Sequence, residues 1–194
     1  MSAGEAHRVC PWWLGYLLAS PIRKLWQDPA KILSPYVQHG QRVLEPGPGM
    51  GFFTLELARL VGPNGRVVAV DLQPKMIDTL KGRATKAGLA DRIDARVATK
   101  ESLAISDLNG TIDFILAFAM VHEMPNAENF FHEAAAAGKN GATLLLVEPR
   151  GHVKDAMFEK ELKLATNAGF ELSVRPAIAH SLTALLQLSK RATN

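Results

Sequence analysis

The chain has 194 residues, of which 47% are hydrophobic and 21% are charged, and its net charge is +3. This balance is typical of a globular domain and excludes a disordered chain, a collagen-like repeat and a disulfide scaffold. The single cysteine, Cys10, can form neither an internal disulfide nor a multi-thiol metal site, so we expect a cytoplasmic protein. The sequence has no basic block, which argues against a nucleic-acid partner, and its six histidines lack metal-ligand spacing.

The first 30 residues are rich in aromatic side chains, and we expect them to form a helical segment distinct from a main domain at 31–194. No stretch approaches the roughly 18 apolar residues of a membrane span, and the run at 12–19 lacks the basic flank of a signal peptide. Three roles stay open for this segment: packing on the main domain, a lid over a pocket, or weak contact with a lipid surface. In a lid, Trp12 and Tyr16 are the side chains that we expect to touch a substrate.

Short β-rich runs alternate with helical patterns from residue 42 onward. The predicted strands cover residues 42–45, 66–71, 95–98, 112–117, 143–147, 171–174 and 182–188. The predicted helices cover residues 52–61, the segment from Pro74 to the turn at Gly88, residues 127–137 and residues 154–167. Strands of continuous Val, Ile and Leu are typical of a parallel sheet that is covered on both faces. The sequence therefore predicts an α/β fold of three layers, with ligands at the carboxyl ends of the strands.

The loop after the first predicted strand carries glycines at alternate positions, Gly47, Gly49 and Gly51. Glycines permit a tight turn and let the backbone approach a ligand closely. The predicted helix that follows directs its free N–H groups to the same place, which suits a carboxylate or a phosphate. A dinucleotide fingerprint would need another glycine at the position of Phe52, so the loop disfavours a dinucleotide cofactor.

Asp71 ends the second predicted strand, beside the glycine loop. A carboxylate at this point can accept two hydrogen bonds from the diol of a ribose. The alternative is a plain cap for the helix that is predicted to begin near Pro74. The neighbouring glycine loop favours the ribose interpretation.

The stretch from Val43 to Thr54, with Asp71, resembles the class I S-adenosylmethionine-dependent methyltransferases, in particular the domains of the ubiquinone/menaquinone C-methyltransferase branch. The segment Val121-His122-Glu123-Met124-Pro125 resembles a His-rich segment after the fourth strand in that branch. The resemblance covers nearly the whole chain. It implies a Rossmann-like methyltransferase fold, in which a seven-stranded, mostly parallel sheet has its last strand antiparallel. It also implies that S-adenosyl-L-methionine binds across the carboxyl edge of the sheet and leaves as S-adenosyl-L-homocysteine.

The resemblance assigns a set of residues to this cofactor. They are Glu45, Gly47, Gly49, Gly51, Asp71, Leu72, Ala98, Thr99 and Ala117. Among them, Asp71 would bind the ribose and Leu72 would pack on the adenine. Thr99 departs from the family pattern, because many relatives have an aspartate there that bonds to the adenine amino group. Glu101 is the alternative residue for that bond.

His122 and Glu123 are the catalytic candidates, because they follow the fourth predicted strand at the functional edge. Methyl transfer depends mainly on alignment in a dry site, and a general base adds to the rate where the nucleophile carries a proton. An imidazole titrates near neutrality and can be that base, or His122 can simply cap local backbone. Glu148 and Arg150, after the fifth strand, are expected either to grip a polar substrate or to pair with each other.

The predicted activity is methyl transfer to a small, partly apolar metabolite. The fourth strand runs into Ala117-Phe118-Ala119-Met120, which is unlike the Asn-Pro-Pro-Tyr motif of enzymes that methylate nucleic-acid amino groups. Two other functions stay open: a nicotinamide-dependent oxidoreductase and a non-catalytic module that binds S-adenosylmethionine. The acceptor, the methylated atom and the oligomeric state are not specified by these patterns.

Overall fold

Seven strands form one sheet in the computed structural model, which describes residues 27–190. The strands are β1 (Arg42–Pro46), β2 (Arg66–Asp71), β3 (Ile93–Val97), β4 (Ile112–Phe118), β5 (Gly138–Pro149), β6 (Phe170–Val174) and β7 (Ser181–Leu188). The helices are α1 (Pro29–Leu33), α2 (Thr54–Leu60), α3 (Pro74–Lys86), α4 (Ala127–Ala137) and α5 (Asp155–Asn167). From β1 to α5, strands and α-helices alternate as the sequence predicts, except that β4 follows β3 with no α-helix between them.

The sheet has the order β3-β2-β1-β4-β5-β7-β6. Neighbouring strands are parallel except around β7, which is antiparallel to both β5 and β6. This arrangement confirms the predicted seven-stranded sheet with an antiparallel last strand. The connection order reverses between β1 and β4, and a crevice for ligands forms at such a reversal in open α/β sheets.

The two faces of the sheet bury separate cores because successive side chains of a strand point to opposite faces. On β2, Val68 belongs to the core with Phe130 and Phe158, which come from α4 and α5. The neighbouring Val67 belongs to the other core, with Leu57 of α2 and Leu80 of α3. Apolar residues on both faces of β2 therefore explain the continuous run Val67 to Val70, and they produce the predicted three layers.

Some element boundaries differ from the sequence-based ones. β3 begins at Ile93, two residues early, because Ile93 and Asp94 pair with β2 directly after a short 3₁₀ turn. β5 begins at Gly138 because that residue pairs with Ile112 before a register irregularity. The helix predicted at 52–61 starts only at Thr54, since the glycine-loop turn continues through residues 51–53.

The predicted N-terminal aromatic segment includes Trp12 and Tyr16. Its residues 1–26 lie outside the part of the chain that the structure describes. Its predicted boundary at residue 30 falls inside α1. That helix starts after Asp28, whose side chain accepts a hydrogen bond from the backbone of Ala30 at 3.0 Å. Within residues 27–190, no helix is long and apolar enough to cross a membrane.

Candidate active site

A cavity of about 620 Å³ lies at the carboxyl edge of the sheet, where the loops after β1, β2, β3 and β4 meet. This volume is within the range of small-molecule sites. The predicted site residues on its wall are Glu45, Gly47, Gly49, Asp71, Leu72, Ala98, Thr99, His122 and Glu123. The structure thus brings together residues from four separate loops.

Four other predicted site residues do not line this cavity. Ala117 is fully buried within β4, and Ala119, two residues further on, lies on the cavity wall instead. Gly51 faces the core, because a Cβ placed on it would lie 2.4 Å from Cδ1 of Leu80. Glu148 and Arg150 are the remaining two.

The glycines of the loop after β1 have different surroundings. Gly47, Gly49 and Gly51 all have positive φ, at +68°, +54° and +84°. Among residues 27–190, a Cβ on Gly49 would meet nothing within 4 Å, whereas one on Gly47 would lie 3.1 Å from Met120. Open space next to its backbone leaves Gly49 able to approach a ligand, while Gly51 allows α3 to pack closely.

Asp71 joins the glycine loop to the loop after β2. Its Oδ2 accepts a hydrogen bond from the backbone N–H of Gly49 at 3.2 Å, and its Oδ1 accepts one from Gln73 at 2.9 Å. Burial raises the pKa of Asp71, and these two backbone hydrogen bonds oppose that increase. The N-cap residue of α3 is Gln73, so Asp71 is not the plain helix cap of the alternative interpretation.

The side chain of Glu45 lies in the cavity wall, and only 4% of the residue's surface is exposed. Its Oε2 atom has no hydrogen-bond partner among the described residues. Burial, with a smaller contribution from the charge of Asp71, raises the pKa of Glu45 to about 8. The carboxyl therefore favours its neutral form at pH 7, and a cationic partner would favour the ionised form.

The turn at 99–103 borders the same cavity and is held by α4. The hydroxyl of Thr99 accepts a hydrogen bond from the backbone of Ser102 at 3.0 Å, so it is engaged within the turn. Glu133 of α4 accepts hydrogen bonds from the Ser102 hydroxyl and from the Leu103 backbone. The sequence analysis did not identify Glu133. Its position beside Phe130 and Ala134, which are buried, could have indicated a polar contact at this point of α4.

His122 follows β4 in a short 3₁₀ turn and lies on the cavity wall. Its Nδ1 atom is 2.5 Å from Oε2 of Glu148. The hydrogen bond to Glu148 raises the pKa of His122, burial opposes this increase, and the charges of Glu148, Glu123 and Glu161 add to it. A histidine that is held at one ring nitrogen by a carboxylate has the geometry of an oriented general base.

Glu148 lies behind His122 rather than on the cavity wall. It has 0% exposure, and its Oε1 accepts hydrogen bonds from the backbone N–H groups of Val121 at 2.8 Å and His122 at 3.4 Å. Arg150 is exposed, and its Nη1 lies 3.4 Å from Oδ1 of Asp155. Glu148 and Arg150 therefore do not pair with each other, and Glu148 acts on the turn that carries His122.

Aromatic rings form one side of the cavity, which sequence reasoning did not identify. Phe53 and Phe118 pack with ring centroids 4.2 Å apart, and Phe52 contacts Phe53 edge to face. His152 lies edge to face against His122, with centroids 5.9 Å apart. Within residues 27–190, no group of three or more His, Cys, Asp or Glu is arranged to hold a metal ion.

The chain is similar to a known domain family and to curated methyltransferases. A family profile described as a methyltransferase domain matches residues 38–187, which is more than half of the chain. The chain is 28% identical over 66% of its length to the ubiquinone/menaquinone biosynthesis C-methyltransferase UbiE of Hydrogenovibrio crunogenus, covering 49% of that protein. It is 31% identical over 55% of its length to a catechol O-methyltransferase of Mycobacterium tuberculosis, covering 47% of that protein. The chain thus spans about half the length of these curated relatives.

Solved structures of similar fold include a SAM-dependent methyltransferase from Aquifex aeolicus. That structure has a TM-score of 0.83 and 22% identity, and the match covers 93% of this chain and 100% of the other. The [4+2]-cyclase SpnF matches with a TM-score of 0.65 and 20% identity, over 80% of this chain and 60% of the other. Identities this low show a shared fold and not a shared reaction. On the evidence of the family profile, the chain belongs to the methyltransferase domain family, and its fold is that of the class I S-adenosylmethionine-dependent methyltransferases.

Proposed function

We propose that this chain transfers a methyl group from S-adenosyl-L-methionine to a small, partly apolar metabolite by in-line displacement, with His122 as general base. The observation that carries the proposal is that an oriented histidine lies on the wall of the cavity that Gly49 and Asp71 also line. The glycine loop, which would hold the cofactor, and the candidate base His122 therefore face the same cavity.

The fit of the cofactor rests on Glu45, Gly49 and Asp71. The Oε2 of Glu45 has no hydrogen-bond partner within residues 27–190, and it is suited to an ammonium group such as that of the methionine part, because a cation would stabilise its ionised form. Gly49 leaves open space beside its backbone, and Asp71 lies next to it with its carboxylate fixed by two backbone N–H groups. When bound, S-adenosylmethionine supplies an electrophilic methyl group on a sulfonium.

His122 would take the proton of the acceptor at Nε2. Its Nδ1 is engaged by Glu148, which fixes the orientation of the ring and leaves the other nitrogen as the free base in the neutral form. The carboxylate of Glu148 is held by two backbone N–H groups and would stabilise the imidazolium that forms. A general base of this kind contributes typically about 10²–10⁴-fold to a rate.

The acceptor would lie against the aromatic side of the cavity, formed by Phe52, Phe53 and Phe118. Flat apolar rings suit an acceptor with an apolar body, and the polar edge of that acceptor would meet His122. One curated relative is named as a C-methyltransferase and another as an O-methyltransferase, so the acceptors to be tested include both carbon and oxygen nucleophiles. The proposed compartment is the cytoplasm, in keeping with a single cysteine.

The test combines binding and product formation. The purified chain is incubated with S-adenosylmethionine and each of a series of phenols, hydroquinones, carboxylates and amines, and S-adenosylhomocysteine is measured. We expect product to depend on the acceptor. His122→Ala should lower the rate by about 10²-fold or more and leave the affinity for S-adenosylhomocysteine within twofold, and His132→Ala, at an exposed position of α4, is the matched control.

Two results would contradict the proposal. Tight binding of S-adenosylhomocysteine without product from any acceptor would identify a non-catalytic binding module. A thermal shift with NAD(H) or NADP(H) and none with S-adenosylhomocysteine would favour an oxidoreductase, since a ligand stabilises the fold that binds it.

A further inference from the structure

The loop after β3 makes a tight turn that is closed by its own hydrogen bonds. The backbone N–H of Thr99 donates to the carbonyl of Ser102 at 2.9 Å. The Thr99 hydroxyl donates to the same carbonyl at 3.3 Å and accepts the backbone N–H groups of Glu101 at 3.3 Å and Ser102 at 3.0 Å. This hydroxyl therefore uses both its donor and its acceptor capacity within the turn.

Two side chains of α4 tie this turn to the helix. The carboxylate oxygens of Glu133 accept separate hydrogen bonds, one from the Ser102 hydroxyl at 2.5 Å and one from the Leu103 backbone N–H at 2.7 Å. Asn129 lies four residues earlier on the same face of α4, and its side chain donates to the carbonyl of Glu101 at 2.8 Å. Asn129 and Glu133, together called the α4 clamp, thus hold three consecutive residues of the turn.

The α4 clamp also acts on a strained residue. Ala104 has a φ of +54°, which is uncommon for a residue that carries a Cβ. Its backbone N–H donates to the hydroxyl oxygen of Ser102 at 2.9 Å, and that hydroxyl donates in turn to Glu133. Such strain persists only where the surroundings hold it, and it is concentrated at functional sites. The path of this loop is therefore set by α4.

The turn lies next to the part of the cavity that Asp71 lines. Asp71 is paired with Val97 at the ends of β2 and β3, and the backbone N–H of Ala98 donates to the carbonyl of Asp71 at 2.9 Å. All five residues from 99 to 103 line the cavity, as do both residues of the α4 clamp. A base attached to a ribose at Asp71 would therefore lie against this turn.

We infer that Glu133 is a positioning residue for cofactor binding, because it fixes the turn that borders the base of the cofactor. The Thr99 hydroxyl is engaged within the turn, so the contacts offered to a base depend on the path of the backbone and on the placement of Leu103. A turn that is fixed before binding lowers the ordering cost of that binding. The inference rests on the proposed function for the identity of the ligand, whereas the order of the turn can be measured without any ligand.

The binding test compares Glu133→Ala and Glu133→Gln with the natural chain by calorimetry. The ligands are S-adenosylhomocysteine and 5′-methylthioadenosine, which keeps the base and the ribose but lacks the amino-acid part. We expect Glu133→Ala to weaken both by about tenfold, since two hydrogen bonds to a charged acceptor are lost. Glu133→Gln should fall between, because its amide oxygen still accepts one bond. Glu128→Ala is the matched control on α4, at an exposed position outside the cavity wall, and should leave both affinities unchanged.

A kinetic measurement distinguishes positioning from a general loss of structure. With a working acceptor, Glu133→Ala should raise the KM for S-adenosylmethionine and leave kcat unchanged, because Glu133 acts on the turn and not on the reacting atoms. A lower kcat with an unchanged KM would contradict the inference. Ser102→Ala removes the hydroxyl that joins Glu133 to Ala104 and leaves α4 intact, so it should weaken both ligands even if Glu133→Ala does not fold.

Amide hydrogen exchange of the ligand-free protein tests the α4 clamp by itself. The amides of Ser102, Leu103 and Ala104 should exchange faster in Glu133→Ala than in the natural chain. Unchanged exchange would show that Glu133 does not hold the turn, and faster exchange with unchanged affinities would show that the turn does not border the ligand. Either result would overturn the inference. Failure of the proposed function differs from both, because the natural chain itself would then not bind S-adenosylhomocysteine.

Discussion

The backbone N–H of Gly49 donates a hydrogen bond to Oδ2 of Asp71 at 3.2 Å, and this bond joins the loop after β1 to the end of β2. The second carboxylate oxygen is held by Gln73, so the orientation of the Asp71 side chain is set before any ligand binds. Preorganisation of this kind lowers the ordering cost of binding. Asp71 therefore fixes the shape of the glycine loop, and in the proposed function it also binds the ligand.

Replacing Asp71 by alanine should weaken the binding of S-adenosylhomocysteine by about 1–3 kcal/mol, the cost of removing hydrogen bonds to a charged acceptor. Asp71→Asn should have a smaller effect, because its amide oxygen can still accept one hydrogen bond. Isothermal titration calorimetry measures both changes. Asp78→Ala, at an exposed position of α3, is the control, and an affinity of Asp71→Ala equal to that of the natural chain would refute the ribose role.

Substitutions of two glycines in the same loop should distinguish a packing role from a cofactor-binding role. In Gly51→Ala the new Cβ would lie 2.4 Å from Leu80, so we expect a loss of stability of about 2–3 kcal/mol from strain and overpacking. Gly49→Ala should lose only about 1–2 kcal/mol, from positive φ alone, but should weaken cofactor binding as well. Urea unfolding and calorimetry provide the two measurements.

Gly40→Ala is the matched control for this comparison. Gly40 has a φ of +82°, no described residue lies within 4 Å of its Cβ position, and it does not line the cavity. It should therefore show the cost of strain without any loss of affinity. Equal affinities of Gly49→Ala and Gly40→Ala would mean that the backbone at Gly49 does not approach the ligand.

The fold follows from local patterns that are visible in the sequence. The run Val67 to Val70 predicts a buried parallel strand, and the alternate glycines predict the turn that lines the cavity, both without reference to distant residues. The link between His122 and Glu148 could not be read in this way, because 26 residues of chain separate them. It depends on the register of β4 and β5, in which Phe118 lies opposite Val147 and the turn after β4 therefore lies next to Glu148.

Glu161 illustrates a signal that was present but not used. It occupies the buried stripe of α5 between Phe158 and Ala165, where an acid is unusual. The charges of Glu148 and His122 act on the pKa of Glu161, after the larger effect of burial. These residues lie on other elements, so the sequence alone could not identify them as neighbours of α5.

Replacing Glu148 by glutamine should show how far the basicity of His122 depends on the charge of Glu148. Because the hydrogen bond to Glu148 is the main cause that raises the pKa of His122, the midpoint of the His122 titration should move to lower pH in Glu148→Gln. In an acceptor-dependent assay, the rate rises with pH as His122 loses its proton, so this rise should also move to lower pH. The maximal rate should fall by about 10²–10⁴-fold, because the imidazolium loses its charged partner.

The control for this experiment is Glu123→Gln, since the Glu123 carboxyl lies 3.9 Å from Nε2 of His122 and makes a smaller contribution to its pKa. We expect a smaller displacement of the titration midpoint for this variant than for Glu148→Gln. Equal displacements in the two variants would show that Glu148 has no special part in holding His122.

The buried glutamates should also make the stability of the fold depend on pH. Burial raises the pKa of Glu45 and of Glu161 to about 8, well above the usual value of 4.5. Protonated glutamates of this kind stabilise the folded state fully below about pH 4.5, and their contribution is lost as the pH rises through about 8. The free energy of unfolding from urea titrations should therefore decrease between pH 6 and 9. The side chain of Glu161→Gln stays neutral throughout. This variant should therefore be more stable than the natural chain at pH 9 by about 2 kcal/mol, and its free energy of unfolding should depend less on pH. Equal slopes for the two proteins would mean that Glu161 is already ionised at pH 6.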